Sequence, residues 1–190
     1  IQLLPVLNFY NNDETNKAYE NTDKLHGNNY NWGYDPHSYF TPEGWFASDP
    51  YDQYCRISEL KNLIKEAHRL GLRVILDVVY NHMADTYLLE NIEPHYYFRL
   101  NKRDGSYTSA SGCGNDLATE HAMVRKLIID SLCYFVKEYH VDGFRFDLMG
   151  LIDSKTILDA YDECVMLKKD LLFIGEGWKM YNGAKGTCGM

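Results

Sequence analysis

LRVILDVVY, residues 72–80, decides the fold. Its β-branched and leucine side chains fall at both odd and even positions, the pattern of a strand covered on both faces. Such strands belong to parallel sheets flanked by helices. The run follows directly on a helical pattern in which Ile57, Leu60, Leu63, Ile64, Ala67 and Leu70 recur at three and four, with Gly71 as the stop. Upstream, Leu3–Phe9 is a short apolar run bounded by Asn8, Asn11, Asn12 and Asp13, and it reads as a buried strand. Downstream, Met123, Val124, Leu127, Ile128, Leu132, Phe135, Val136 and Tyr139 mark a second helix from about Thr119, followed by a strand over Gly143–Asp147. A third helix is expected over 154–168, with Ile157, Tyr161 and Val165 in register, and Leu171–Gly175 (LLFIG) reads as a fourth strand.

Strands alternating with helices imply right-handed βαβ units and a parallel sheet. From Asp147 to Glu176, the ends of the last two strands, is 29 residues. A (β/α)₈ barrel of about 250 residues has roughly 31 per unit, so the spacing fits. The rival doubly wound fold lacks its dinucleotide fingerprint, because neither Gly112-Cys113-Gly114 nor Gly175-Glu176-Gly177 continues as G-x-G-x-x-G. The expected class is α/β, a partial (β/α)₈ TIM barrel forming one domain over 1–190. Two long loops interrupt it, at 11–55 and 81–118. Loops of that length inside compact domains are usually functional.

Composition narrows the partners. A net charge of −8 gives no clustered Lys and Arg for nucleic acid or an anionic membrane. Sixteen Tyr, eight Phe and three Trp are many, and several stand in polar, Gly- and Asn-rich stretches where flat rings with a polar edge suit sugar faces. Five cysteines at 55, 113, 133, 164 and 188 form no C-x-x-C, so neither a disulfide framework nor a zinc site is indicated. Cys133 and Cys164 fall in helical patterns and are expected to be buried and inert. The cysteine usage favours a reducing, cytoplasmic setting. No secretory leader or membrane-length apolar run is visible, and Ile1 falls inside a strand pattern, so the native N-terminus is expected upstream.

Ionisable groups crown the strand ends: Asp77 and then His82 (DVVYNH), Arg145 and Asp147 (GFRFD), and Glu176 (GEGW). In a parallel barrel all these ends open on one face, where active sites are built. Singly, each has a plainer reading, such as a structural ion pair, a loop histidine or a turn. Jointly they suit a glycosidase, which needs one carboxylic acid to protonate the leaving oxygen and one carboxylate to meet the developing charge at the anomeric carbon. Retaining enzymes hold that pair about 5 Å apart, and adjacent strands lie about 4.8 Å apart. Arg145, two residues from Asp147 and on the same strand face, is expected to hold that carboxylate ionised, as a nucleophile requires. Glu176 must instead stay protonated near neutrality, and the neighbouring negative carboxylate is expected to raise its pKa.

DVVYNH, GFRFDLMG and GEGW resemble three signature regions of the alpha-amylase family, glycoside hydrolase family thirteen. YNWGYDP (30–36) is similar to the heptapeptide of the type I pullulanases, and QLLPV (2–6) resembles the family's second barrel strand. GNDLATEHAMVRK (114–126) running into EYHVDGFRFDLMG (138–150) extends the likeness over essentially the whole chain.

The resemblance implies Asp147 as nucleophile and Glu176 as general acid/base. It implies Arg145 and His82 as ligands at the cleavage subsite, Tyr34 as aromatic platform beneath the sugar, and Asp35 and Asp77 as supporting groups. Trp178 would stack on the acceptor side. The implied reaction is retaining hydrolysis of α-1,6-glucosidic branch points in pullulan, amylopectin or limit dextrins, with an α-glucan as partner and no cofactor. Calcium occurs in some relatives, and Asn115 and Asp116 are the candidates for it, though no metal is the better expectation. Tyr34 also has its own rationale beside Gly33 and Pro36, whereas Trp32 is expected to be a hydrophobic plug at the loop base.

The family's third catalytic Asp and neighbouring His have no counterpart here, since what matches is strands two to five of eight. The isolated 190 residues are therefore expected to be inactive and poorly folded. Alternatives are an α-1,4-acting amylase or glycogen-debranching relative, or a non-catalytic carbohydrate-binding one.

Overall fold

Four short strands form one fully parallel sheet in chain order: β1 (Gln2–Leu3), β2 (Ile75–Val78), β3 (Gly143–Phe146) and β4 (Leu172–Gly175). Helices α1 (Cys55–Arg69), α3 (Ala122–Tyr139) and α4 (Ser154–Leu167) connect them, with a four-residue α2 (Tyr87–Glu90) in the second long loop. This computed structural model describes residues 1–10, 12–16, 30–179 and 185–188; Asn11 and much of the first long loop lie outside them.

The helices form where the sequence period demands. Helix α1 buries Leu60, Ile64 and Ala67 on one face. It ends in a Schellman turn: Leu72 N–H donates to Ala67 O and Gly71 N–H to His68 O, with Gly71 at φ +74°. Helix α3 buries Val124, Ile128, Leu132, Phe135, Val136 and Tyr139. Helix α4 starts at Asp153, whose carboxylate accepts the Thr156 N–H at 3.0 Å. Between helices and sheet lies a core in which Val74, Leu76, Ile128, Leu132, Phe144 and Phe146 are fully buried. Cutting such a leucine to alanine costs about 2–5 kcal/mol.

Three expectations need correction. The strand read over Leu3–Phe9 pairs in the sheet only at Gln2 and Leu3. Pro5 lacks the N–H that a ladder needs, and beyond it Leu7 and Phe9 make antiparallel bridges to Pro42 and Pro36 instead. The buried stripe of α4 is Thr156, Ala160 and Cys164, not Ile157, Tyr161 and Val165. Small side chains there let α4 lie close against α3, with the Cys164 and Cys133 sulfurs 3.9 Å apart. Cys133 itself is only half-buried.

Candidate active site

The register of the sheet assembles the site. Asp77 of β2 lies directly beside Arg145 of β3, and Phe146 beside Gly175, so Asp147 and Glu176 emerge next to one another at the same rim. The Arg145 guanidinium then joins three carboxylates: Nη1 reaches Asp77 Oδ1 at 2.9 Å and Asp147 Oδ1 at 3.1 Å, and Nη2 reaches Glu176 Oε1 at 2.7 Å. A planar fork with five donors is the group able to do this. Leu148, left-handed at φ +41°, turns the chain so that its N–H donates to Glu176 Oε2 at 3.0 Å. A non-glycine residue there is a strained conformation of the kind that collects at functional sites.

The first long loop supplies Tyr34. Its hydroxyl donates to Asp77 Oδ2 at 2.8 Å. The turn that presents it is closed by Gly33, whose N–H donates to Asn31 Oδ1 at 2.8 Å. Gly33 sits at φ +87°, and a Cβ on it would come within 2.9 Å of Pro5. Only glycine fits. Asp35, the next residue but one, accepts from Asn31 Nδ2 at 3.1 Å through its side chain and from Tyr10 N–H through its backbone. His82 reaches the same loop, its Nε2 lying 2.9 Å from the Tyr34 carbonyl.

Electrostatics follow from burial and partners. Burial pushes the Asp77 carboxyl up, and this outweighs the lowering by Arg145 and Tyr34. Burial and the Asp77 carboxylate push the Tyr34 hydroxyl up to about 12. For His82, burial wins over the Tyr34 carbonyl and the carboxylates of Asp147, Asp116 and Asp35, and its pKa is lowered. Glu176 differs from the expectation. Burial pushes its carboxyl up, but the Leu148 N–H, Trp178 and Arg145 together outweigh that and hold it below the usual value. Sequence placed a second carboxylate beside Glu176, and did not show that the arginine stands between them.

Asp77, Arg145, Asp147, Glu176 and Tyr34 thus form one hydrogen-bonded cluster, with His82 and Asp35 on its loop side. Trp178 lies beyond Glu176 and is 62% exposed. Trp32 is 60% exposed and packs edge-on against Tyr30, so it is not a buried plug. A plug is enclosed by its surroundings, and more than half of this residue stays exposed. The chain also uses a residue not singled out from sequence, Asn81. Its Nδ2 donates to the Asp147 backbone O at 2.9 Å and to Asp147 Oδ2 at 3.0 Å. An amide side chain immediately beyond a strand end, next to His82, was the available signal.

Asn115 and Asp116 engage the second loop itself. Asn115 exchanges both amide atoms with the Met83 backbone, and Asp116 accepts from Thr108 Oγ1 and the Ala110 and Ser111 N–H groups. Among the described residues, no three His, Cys, Asp or Glu side chains are arranged to hold a metal ion. Nor is any helix there long and apolar enough to cross a membrane.

Known proteins resemble the chain over nearly its whole length. The alpha amylase catalytic-domain model matches residues 33–104. The chain is 47% identical over 184 residues to Pullulanase A of Streptococcus pneumoniae, covering 96% of this chain and 14% of that protein. It is 42% identical over 182 residues to the Bacillus subtilis pullulanase, covering 95% and 24%. Among solved structures, the Group B Streptococcus pullulanase SAP matches with a TM-score of 0.90 at 48% identity, over 98% of this chain and 24% of that one. The type I pullulanase of B. subtilis, solved with maltose, matches at 0.88 and 41%, over 97% and 25%. The chain therefore spans a quarter or less of the length of these relatives, and its four-stranded sheet corresponds to part of a TIM barrel.

Proposed function

Because the chain belongs to the alpha-amylase family, we propose that its strand-end cluster is part of the centre of a retaining glycoside hydrolase. The substrate would be an α-glucan, cleaved at α-1,6 linkages of pullulan, amylopectin or limit dextrins. One observation carries this reading: Asp147 and Glu176 share a single guanidinium, that of Arg145, at one rim of the sheet. The pullulanase relatives and the maltose held by the B. subtilis neighbour support the choice of sugar and linkage.

In this mechanism an Asp147 carboxylate oxygen bonds to the anomeric carbon while the bond to the glycosidic oxygen breaks, and the Glu176 proton passes to that oxygen. Water then attacks the glucosyl-Asp147 ester, giving its proton to Glu176 and releasing Asp147. Arg145 and His82 hold the nucleophile and the sugar. Tyr34 lies beneath the ring with Asp77 and Asp35 behind it, and Trp178 stacks on the acceptor side. Glu176 is ion-paired to Arg145. Its acid role requires that a bound sugar separate it from Arg145, which lets its carboxyl take up a proton.

The full-length enzyme tests this by reducing-end release from pullulan against amylose. Preference for pullulan is expected, with loss of about 10²–10⁴-fold in kcat for Glu176→Gln and at least as much for Asp147→Asn. Preference for amylose would move the reading to an α-1,4-acting relative, and a fully active Asp147→Asn to a binding protein. The 190 residues alone are expected to be inactive on pullulan, because among the described residues no strand pairs with the outer edges of β1 and β4, and Leu172 and Ile174 are exposed on β4.

A further inference from the structure

We infer that Asn81 is a positioning residue for the Asp147 carboxylate, setting its rotation through one side-chain amide. The inference rests on the reading of Asp147 as nucleophile and deepens it.

A primary amide has two N–H hydrogens and one oxygen. Both hydrogens of Asn81 go to the same residue, one to the Asp147 backbone O and one to Asp147 Oδ2. The amide therefore grips Asp147 by main chain and side chain at once, which restricts the rotation of the carboxylate. Arg145 takes the other oxygen, Oδ1. Each carboxylate oxygen has one charged or polar donor, and the plane of the group is defined by Arg145 of β3 and by Asn81, which follows β2.

The amide cannot be turned over. Exchanging its oxygen and nitrogen would set an oxygen against two acceptor oxygens. Its Oδ1 instead faces His82 Nδ1 at 2.5 Å, while the other ring nitrogen faces the Tyr34 carbonyl at 2.9 Å. The Asn81 backbone O accepts the Leu117 N–H at 2.9 Å, which fixes the residue against the second loop. Asn81 is wholly buried, and the Asp147 side chain it holds is 14% exposed. A nucleophile displaced by about 1 Å loses on the order of 10²-fold in rate, which is the scale of effect a positioning group supplies.

A purely structural Asn81 would tie β2 to the turn after β3 without touching the chemistry. Asn81→Ala and the isosteric Asn81→Asp in the full-length enzyme separate the two roles. Asn81→Asp keeps the shape and the acceptor toward His82, removes the donors, and sets a carboxylate against Asp147. The charged or titratable groups already around Asp147 are Arg145, Asp77, Glu176, Tyr34, His82 and Cys113.

In both variants kcat on pullulan is expected to fall about 10²-fold with KM changed only a few-fold. In Asn81→Asp the acid limb of kcat/KM is expected to move to higher pH by about one unit or more, because a like-charged neighbour holds a proton on the pair. Thermal unfolding confirms which variant is folded, and the isosteric one serves if alanine collapses the site. Wild-type kcat and an unmoved pH profile in a folded variant overturn the inference. Asp147→Asn is the control: if it remains active, the nucleophile assignment fails. If it is inactive while the Asn81 variants are unaffected, only the positioning role fails.

Discussion

Arg145 and Glu176, on neighbouring strands, are joined by an ion pair of 2.7 Å between Nη2 and Oε1. The same guanidinium also reaches Asp77 and Asp147. That cation joins the Leu148 N–H and Trp178 in holding the Glu176 carboxyl below its usual value against burial, whereas at Asp77 burial outweighs it.

Arg145→Ala is expected to lower kcat/KM by about 10²–10³-fold, the usual loss for an electrostatic donor at a reacting centre. Arg145→Lys should rescue little, since a point charge cannot replace the fork. Arg145 lowers the Glu176 carboxyl, so its removal raises it. An acid is active while protonated, and the basic limb of kcat/KM should move to higher pH. Wild-type limbs in the alanine variant would show that Arg145 does not control Glu176.

Tyr34→Phe keeps the ring but deletes the donor to Asp77 Oδ2, leaving a wholly buried carboxylate one bond poorer. Stability should fall by about 1.5–3 kcal/mol, the range for a bond to a charged group, with KM changed little. Tyr34→Ala should raise KM further if the ring supports the sugar. Denaturant unfolding and pullulan kinetics on the full-length enzyme read the two effects separately.

Gly143 faces Leu172 across the β3–β4 ladder, and a Cβ there would collide with the Leu172 backbone oxygen. Backbone cannot yield as a flexible side chain can. Gly143→Ala is expected to part the strands that carry Asp147 and Glu176, with activity lost before secondary structure is. Circular dichroism beside kinetics checks this, and an active Gly143→Ala would show that the strands tolerate the shift.

Asp142 binds at the opposite end of β3, accepting the Val74 N–H at 2.7 Å, His68 Nε2 at 2.7 Å and Lys168 Nζ at 2.5 Å. Burial pushes its carboxyl up, but Lys168, Val74 and His68 outweigh that and lower it. A lowered pKa contributes stability above the unfolded value, about 3.9, that disappears as pH falls through the folded one. Asp142→Asn should cost about 1.5–3 kcal/mol at neutral pH, with the gap to wild type closing below about pH 4. A gap independent of pH would remove the charge from the account.

The element order was legible because apolar period is local: α1, β2, α3 and β3 stand within a few residues of where the pattern puts them. The misreadings differ in origin. In LPVLNF the missing N–H of Pro5 is the local mark that the ladder stops early, whereas nothing in the α4 pattern says that α3 wants its small-residue face.

The chain itself determined which ionisable side chains crown the strand ends, since side-chain alternation and strand termination are written within ten residues. It took the folded sheet to decide who binds whom. Asp77 and Arg145 are 68 positions apart, Asn81 and Asp147 are 66, and Tyr34 and Asp77 are 43. Hydrogen bonds span about 3 Å in space, so such partnerships exist only once parallel register has set those positions side by side. Whether Glu176 faces a carboxylate or a guanidinium is a matter of that register, and no local pattern records it.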